Sequence, residues 1–156
     1  MPVPYRARPA WGGQARNGRP ESKRTRPRRK NMAAQKILVI DDDAHLRGSL
    51  AEVLDLEGFT CFQAGNAKAG ISSAKKHMPE VVIMDIQLPD SSGFQICQEL
   101  RKLSKEFILI MMTGRFLSAE EKAQGFTLGA DEYLTKPFDI QELSIRIRQL
   151  LTRKGK

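Results

Sequence analysis

Residues 37–43 read Ile37-Leu38-Val39-Ile40-Asp41-Asp42-Asp43. Four consecutive apolar residues, three of them β-branched, are too short a run for a helix and show no polar alternation. That is the pattern of a strand buried on both faces, as strands of a parallel sheet are. Acids follow immediately, so negative charge collects where the strand ends. The same design recurs along the chain. Val81-Val82-Ile83-Met84 runs into Asp85, Phe107 to Met112 runs into Thr113, and the short pair Tyr133-Leu134 precedes Lys136. With Thr60 to Gln63 these make five strand candidates, the last weak by pattern alone.

Amphipathic stretches separate the strands, and each carries its own punctuation. The first helix, about Ala44 to Leu56, places Leu46, Leu50, Val53, Leu54 and Leu56 largely on one side and stops at Gly58. The second begins at Asn66, a good N-cap, and ends before Pro79. A loop of Pro89, Asp90, Ser91, Ser92 and Gly93 leads into a third, about Phe94 to Leu103. Ser118 with Glu121 three residues on forms a capping box for a fourth, which ends near Gly129. A fifth opens at Asp139 and buries Ile140, Leu143, Ile147, Leu150 and Leu151 at helical spacing. Strands alternating with helices predict an α/β fold, a doubly wound five-stranded parallel sheet with five helices.

The charge is divided unevenly. Residues 1–31 hold ten Lys or Arg against the single acid Glu21, a net +9, whereas residues 32–156 hold sixteen basic and seventeen acidic residues, a net −1. The leader also contains five of the eight prolines and cannot pack a core, so residues 1–31 are expected to be a disordered basic leader. As a functional element it would be an arm for nucleic acid or anionic lipid. As a bland one it is an extension upstream of Met32, where Met32-Ala33-Ala34-Gln35-Lys36 reads as a natural beginning. The folded domain is expected over residues 36–152.

Cys61 and Cys97 have no CxxC spacing, which argues against a disulfide framework or a zinc site and for buried structural thiols. No apolar run approaches the roughly 18 residues of a membrane span, and the N-terminus lacks a secretory pattern. The expectation is a soluble, cytoplasmic protein with no membrane partner. His45 and His77, on helices without a ligand partner, are expected at the surface, and the Met111-Met112 pair fills core.

Ligands of an open α/β sheet bind beyond the carboxyl ends of the strands, where the strand order reverses. With order 2-1-3-4-5 the first and third strands are neighbours, and Asp41, Asp42 and Asp85 converge on one pocket. Three anions so close repel by on the order of 4 kcal/mol per pair at 4 Å and an effective dielectric of 20. A hard divalent cation with oxygen ligands answers that repulsion, and Mg²⁺ characteristically bridges carboxylate and phosphate oxygens. Lys136 adds a permanent positive charge. A carboxylate can also act as nucleophile toward a phosphoryl donor, a step that needs charge neutralisation and positioning more than a general base. Metal, Lys136 and the Thr113 hydroxyl could then address separate phosphoryl oxygens.

Each residue alone has a plainer explanation. Asp41 and Asp42 could serve as cap and first-turn acids of the first helix, as Asp43 is expected to do. Lys136 could be a solvated charge, Thr113 a strand-end hydroxyl and Tyr133 a core aromatic. Their joint placement is what favours a site.

The set Ile37-Leu38-Val39-Ile40-Asp41-Asp42-Asp43, Val82-Ile83-Met84-Asp85-Ile86-Gln87-Leu88-Pro89, Met112-Thr113-Gly114 and Tyr133-Leu134-Thr135-Lys136-Pro137-Phe138 resembles the receiver domain of two-component response regulators. The likeness spans residues 36–151, with every motif in order. It implies a flavodoxin-like sheet in which Asp85 is the phosphoacceptor. Asp42 would be a direct ligand of Mg²⁺, or alternatively Mn²⁺, with Asp41 acting mainly through water and the Gln87 backbone carbonyl completing the set. Thr113 and Lys136 would hold phosphoryl oxygens, aided by the N–H groups of Gln87 and Gly114. A cis Lys136-Pro137 bond is implied, and Gln87 and Arg115 fall at variable positions that tune phosphoryl lifetime.

The partners implied are a histidine kinase or histidine phosphotransfer protein, and a downstream protein docking on the fourth helix, fifth strand and fifth helix. Thr113 and Tyr133 would be the switch: a dianion on Asp85 draws the Thr113 hydroxyl inward and vacates space for the Tyr133 ring. Such a domain is no enzyme beyond its own phosphorylation and dephosphorylation. The chain ends six residues after Leu150, so a stand-alone receiver without an output domain is expected. Two other classes compete. A haloacid-dehalogenase-type phosphatase needs Asp-x-Asp-x-Thr, which Asp85-Ile86-Gln87-Leu88 does not supply. Nucleic-acid binding is expected only through the basic leader.

Overall fold

Apolar residues at successive strand positions need cover on both sides, and the computed structural model provides it. It describes residues 33–155; the expected disorder of residues 1–31 lies outside them. The elements run β1 (Lys36–Ile40), α1 (Ala44–Leu56), β2 (Thr60–Ala64), α2 (Ala67–His77), β3 (Val81–Asp85), α3 (Gly93–Leu103), β4 (Ile108–Thr113), α4 (Ala119–Leu128), β5 (Glu132–Thr135) and α5 (Ile140–Lys154). All pairings are parallel and the order is β2-β1-β3-β4-β5, as expected.

The strand residues sort by parity. Leu38, Ile40, Val82, Met84, Leu109 and Met111 face one side with Ala74 of α2 and Ile96 and Leu100 of α3. Ile37, Val39, Ile83, Ile110 and Met112 face the other with Leu50 and Leu54 of α1 and Leu143 and Ile147 of α5. A period of two, with both halves apolar, thus yields two cores on one sheet. Truncating a fully buried Leu50 or Leu54 to alanine would cost about 2–5 kcal/mol.

The caps form where the sequence placed them. Asp43 accepts from the N–H groups of His45 and Leu46, Asn66 from Ala69, and Asp139 from Gln141, while Ser118 and Glu121 close a reciprocal box. Gly129 ends α4 at φ 116°, a left-handed geometry that favours glycine.

Some expectations need correction. Leu56 does not join the buried side of α1 but is 83% exposed, because two residues on from fully buried Leu54 it stands on the opposite face of the helix. His77 is not a free surface residue: half-buried, it stacks on Phe62 with ring centroids 3.7 Å apart. Cys97 is fully buried, but Cys61 only partly so. In α5, Leu143 and Ile147 are fully covered, whereas Ile140, Leu150 and Leu151 pack at its margin.

Candidate functional site

Where β1 gives way to α1, the chain must turn without exposing its last strand residue. The Asp41 N–H extends the pairing to Ala64 O at 3.1 Å, and Arg47 of α1 donates to the Asp41 carbonyl at 2.6 Å. Asp41 is thereby held with no exposed surface, its Oδ1 accepting the Asp43 N–H at 2.9 Å. Its neighbour Asp42 stands exposed at the mouth of the site. β3 delivers Asp85 beside them, since Ile40 and Met84 are register partners. Oxygens of Asp41, Asp42 and Asp85 all lie within 4.8 Å of one another.

Lys136 closes the group from the far side of the sheet. Its backbone N–H donates to Thr113 O at 2.7 Å, which ties the end of β5 to the end of β4. The ammonium then reaches back to donate to Asp41 Oδ2 at 2.8 Å and Asp85 Oδ2 at 2.7 Å. Burial alone would lower the Lys136 pKa, but hydrogen bonds to Asp41 and Asp85 and the charge of both carboxylates outweigh it and hold the pKa above its ordinary value. The Lys136-Pro137 bond is cis.

The β3–α3 loop supplies donors. Gln87 N–H donates to Asp85 Oδ1 at 2.9 Å, so the second oxygen of that carboxylate is also engaged. Asp90, two residues past Leu88, leaves the loop to accept the N–H groups of Ala67 and Lys68 at 2.8 and 3.1 Å, anchoring the loop on the first turn of α2. Those N–H groups hold the Asp90 carboxyl below the usual carboxylate range.

Thr113 stands at the end of β4, as its place in the sequence led one to expect, and is buried there. Its hydroxyl, however, donates to Arg115 O at 2.9 Å rather than to the carboxylates. Arg115 is in turn fixed by Glu121 of α4 at 2.7 and 3.3 Å. Gly114 joins Asp43, Leu46, Lys136, Pro137, Phe138 and Ile140 in lining a cleft of about 380 Å³ beside the acids. Tyr133 lies away from this pocket, half-buried, its hydroxyl donating to Lys122 O of α4 at 3.2 Å.

Three carboxylates against one ammonium leave the cluster with excess negative charge. Lys136 touches only two of the three acids, and all the candidate donors are hard oxygens. The residues therefore fit a divalent cation such as Mg²⁺. Among the described residues no helix is long and apolar enough to cross a membrane. The contacts of Arg47 and Asp90 and the Arg115–Glu121 ion pair escaped sequence reasoning. Each acts on a backbone group or a distant side chain, and no local spacing announces such contacts.

Comparison with known proteins bears on what this arrangement does. Residues 37–148 match the response regulator receiver domain family. The chain is 35% identical over 119 residues to the probable transcriptional regulatory protein TcrX of Mycobacterium tuberculosis, covering 76% of this chain and 50% of that protein. It is 38% identical over 121 residues to the transcriptional regulatory protein CiaR of Streptococcus pneumoniae, covering 78% and 53% respectively. It thus spans about half the length of the curated relatives it matches. The crystal structure of a CheY-like receiver domain protein from Methanospirillum hungatei superposes with a TM-score of 0.75 at 29% identity, covering 78% of this chain and 97% of that one.

Proposed function

This chain belongs to the response regulator receiver family, and from that premise we propose that Asp85 accepts a phosphoryl group from a phosphohistidine and that the chain signals by protein contact. Receiver domains act as phosphorylation switches in two-component systems, bind Mg²⁺ at an acidic cluster and meet histidine kinases and downstream targets. The finer reading concerns these residues. The observation that carries it is the Lys136 ammonium, shared between Asp41 and Asp85 at 2.8 and 2.7 Å beside a third carboxylate.

In the transfer, an Asp85 oxygen attacks phosphorus, an O–P bond forms, the N–P bond to the donor imidazole breaks, and the imidazole leaves with the electron pair. Little covalent assistance is needed; the work is alignment and neutralisation of charge on the equatorial oxygens. Lys136 supplies a fixed cation already in contact with the nucleophile. The N–H groups of Gln87 and Gly114 offer donors from two loops. Asp42 directly, Asp41 through water, Asp85, and the Gln87 carbonyl would hold Mg²⁺ or Mn²⁺, which when bound supplies the remaining neutralisation.

The Thr113 hydroxyl leaves Arg115 O for a phosphoryl oxygen, and the space it vacates beside β4 receives the Tyr133 ring. The surface so altered is that of α4, β5 and α5, where a downstream protein would dock. The donor is a histidine kinase or a histidine phosphotransfer protein, in the cytoplasm. The chain turns over no substrate other than its own Asp85.

Incubation with acetyl phosphate and Mg²⁺ tests this. A labile, hydroxylamine-sensitive adduct is expected on the unmodified chain and none on Asp85→Asn. An adduct of equal yield on the Asn variant would overturn the assignment.

A further inference from the structure

Tyr133 occupies a place that depends on a missing side chain. Its ring lies in a notch between α3 and α4, with its edge against Phe126 at 4.9 Å between centroids and an interplanar angle of 87°. At the floor of the notch is Gly125. A Cβ built there would fall on the Tyr133 hydroxyl, 2.8 Å from Cζ, and 3.0 Å from Cε1 of Phe94. The phenol therefore enters only because residue 125 has no side chain, and its hydrogen bond to Lys122 O, one turn back along α4, holds it there. Burial, with the charge that Cys97 would carry, pushes the phenol up to about 12, in keeping with a group seated against protein and not free in water. No helix geometry demands a glycine here: Gly125 is mid-helix with φ negative, where glycine weakens the helix relative to alanine.

We propose that Gly125 is a positioning residue that sets the resting state of the switch, by providing a seat over α4 that competes for the Tyr133 ring with the space beside β4. This rests on the reading of Thr113 and Tyr133 as a coupled pair. A two-state element responds to whatever binds one state better, and the apparent affinity of an activating ligand falls with the fraction of chain in the other state. The seat therefore weakens the response to phosphorylation, and filling it strengthens that response.

The test uses the full chain, beryllofluoride with Mg²⁺ as the probe of Asp85, and the variant Gly125→Ala. Without the probe, nuclear Overhauser contacts from the Tyr133 ring to Phe126 and Lys122 are expected to vanish in the variant. Beryllofluoride is expected to bind about threefold to tenfold more tightly. Alanine also strengthens α4 in its own right, so thermal stability is no guide; the control is the same substitution in a Tyr133→Ala background, where the affinity gain should disappear. Should Gly125→Ala not fold, Phe126→Ala, which removes an exposed wall of the notch, should shift affinity the same way by a smaller factor.

Retained ring contacts in Gly125→Ala, unchanged or weaker affinity, or an equal gain in the Tyr133→Ala background would each overturn the proposal. Failure of the underlying reading looks different: the unmodified chain would then not bind beryllofluoride, or would bind it with no change in the Tyr133 signals.

Discussion

The two ends of the sheet use the same kinds of side chain to opposite effect. At the amino ends of the strands, Arg101 is saturated: it donates to Gly129 O, Lys105 O and Phe107 O and pairs with Asp131, whose carboxylate also accepts the Leu109 N–H. Lys154 donates to the carbonyls of Lys105, Glu106 and Phe107, pinning the last turn of α5 to the same loop. At the carboxyl ends, one ammonium serves two of three acids, and the third stands open to solvent. A saturated network can only hold the fold together. An unsaturated one can also take a cation and a phosphoryl group, which is where a signalling chain needs its incompleteness.

Three substitutions sharpen that contrast. The largest effect is expected for Lys136→Met, which removes the one cation touching Asp85 among the described residues. Phosphoryl uptake from acetyl phosphate should fall about a hundredfold, while Mg²⁺ should bind more tightly to the more negative cluster. Stopped-flow phosphorylation and calorimetric titration would separate the two, and loss of Mg²⁺ binding along with uptake would break the comparison. Next is Arg101→Met, at the other end. It leaves carbonyls and the Asp131 carboxylate short of a donor, at a cost of about 2–3 kcal/mol in urea unfolding after allowing for partial exposure. The rate of phosphoryl uptake by the folded fraction should not change, and a parallel loss would mean that the ends are not independent.

The smallest effect concerns Glu121, whose pKa is held at about 2 by the Arg115 guanidinium and the Ser118 N–H. A carboxyl depressed in the fold contributes stability that is present above its unfolded value near 4.5 and is lost as pH falls through about 2. The melting difference between the unmodified chain and Glu121→Gln should thus be steady above pH 5 and close between pH 4.5 and 2. A difference that persists at pH 2 would show that charge is not what the pair contributes.

The same contrast explains what was legible in advance. The runs around Ile37, Val81 and Ile108 could be read as buried strands because burial on both faces leaves no room for polar residues, and their acids and Thr113 mark the carboxyl ends. Asn66, Ser118 and Asp139 were readable as caps because a cap's partner is two or three residues away. β5 was weak because Glu132-Tyr133-Leu134-Thr135 has a single buried residue, Leu134, and lies at the sheet's edge. Arg101 could not be foreseen, since its acceptors are backbone carbonyls brought together only by the fold. Nor could the resting bond of Thr113: sequence places the hydroxyl, whereas its partner depends on the loop fixed by Arg115 and Glu121.

The acidic cluster at the ends of β1 and β3 is proposed to be a cation site built around a phosphoryl acceptor. Titrating the ¹⁵N-labelled chain with Mg²⁺ examines it most directly. Saturable shifts are expected at the amides of Asp41, Asp42, Asp85, Gln87 and Lys136, absent at Asp131 and Lys154, and abolished by Asp42→Asn. Shifts of equal size at both ends, or none at the five amides, would contradict it.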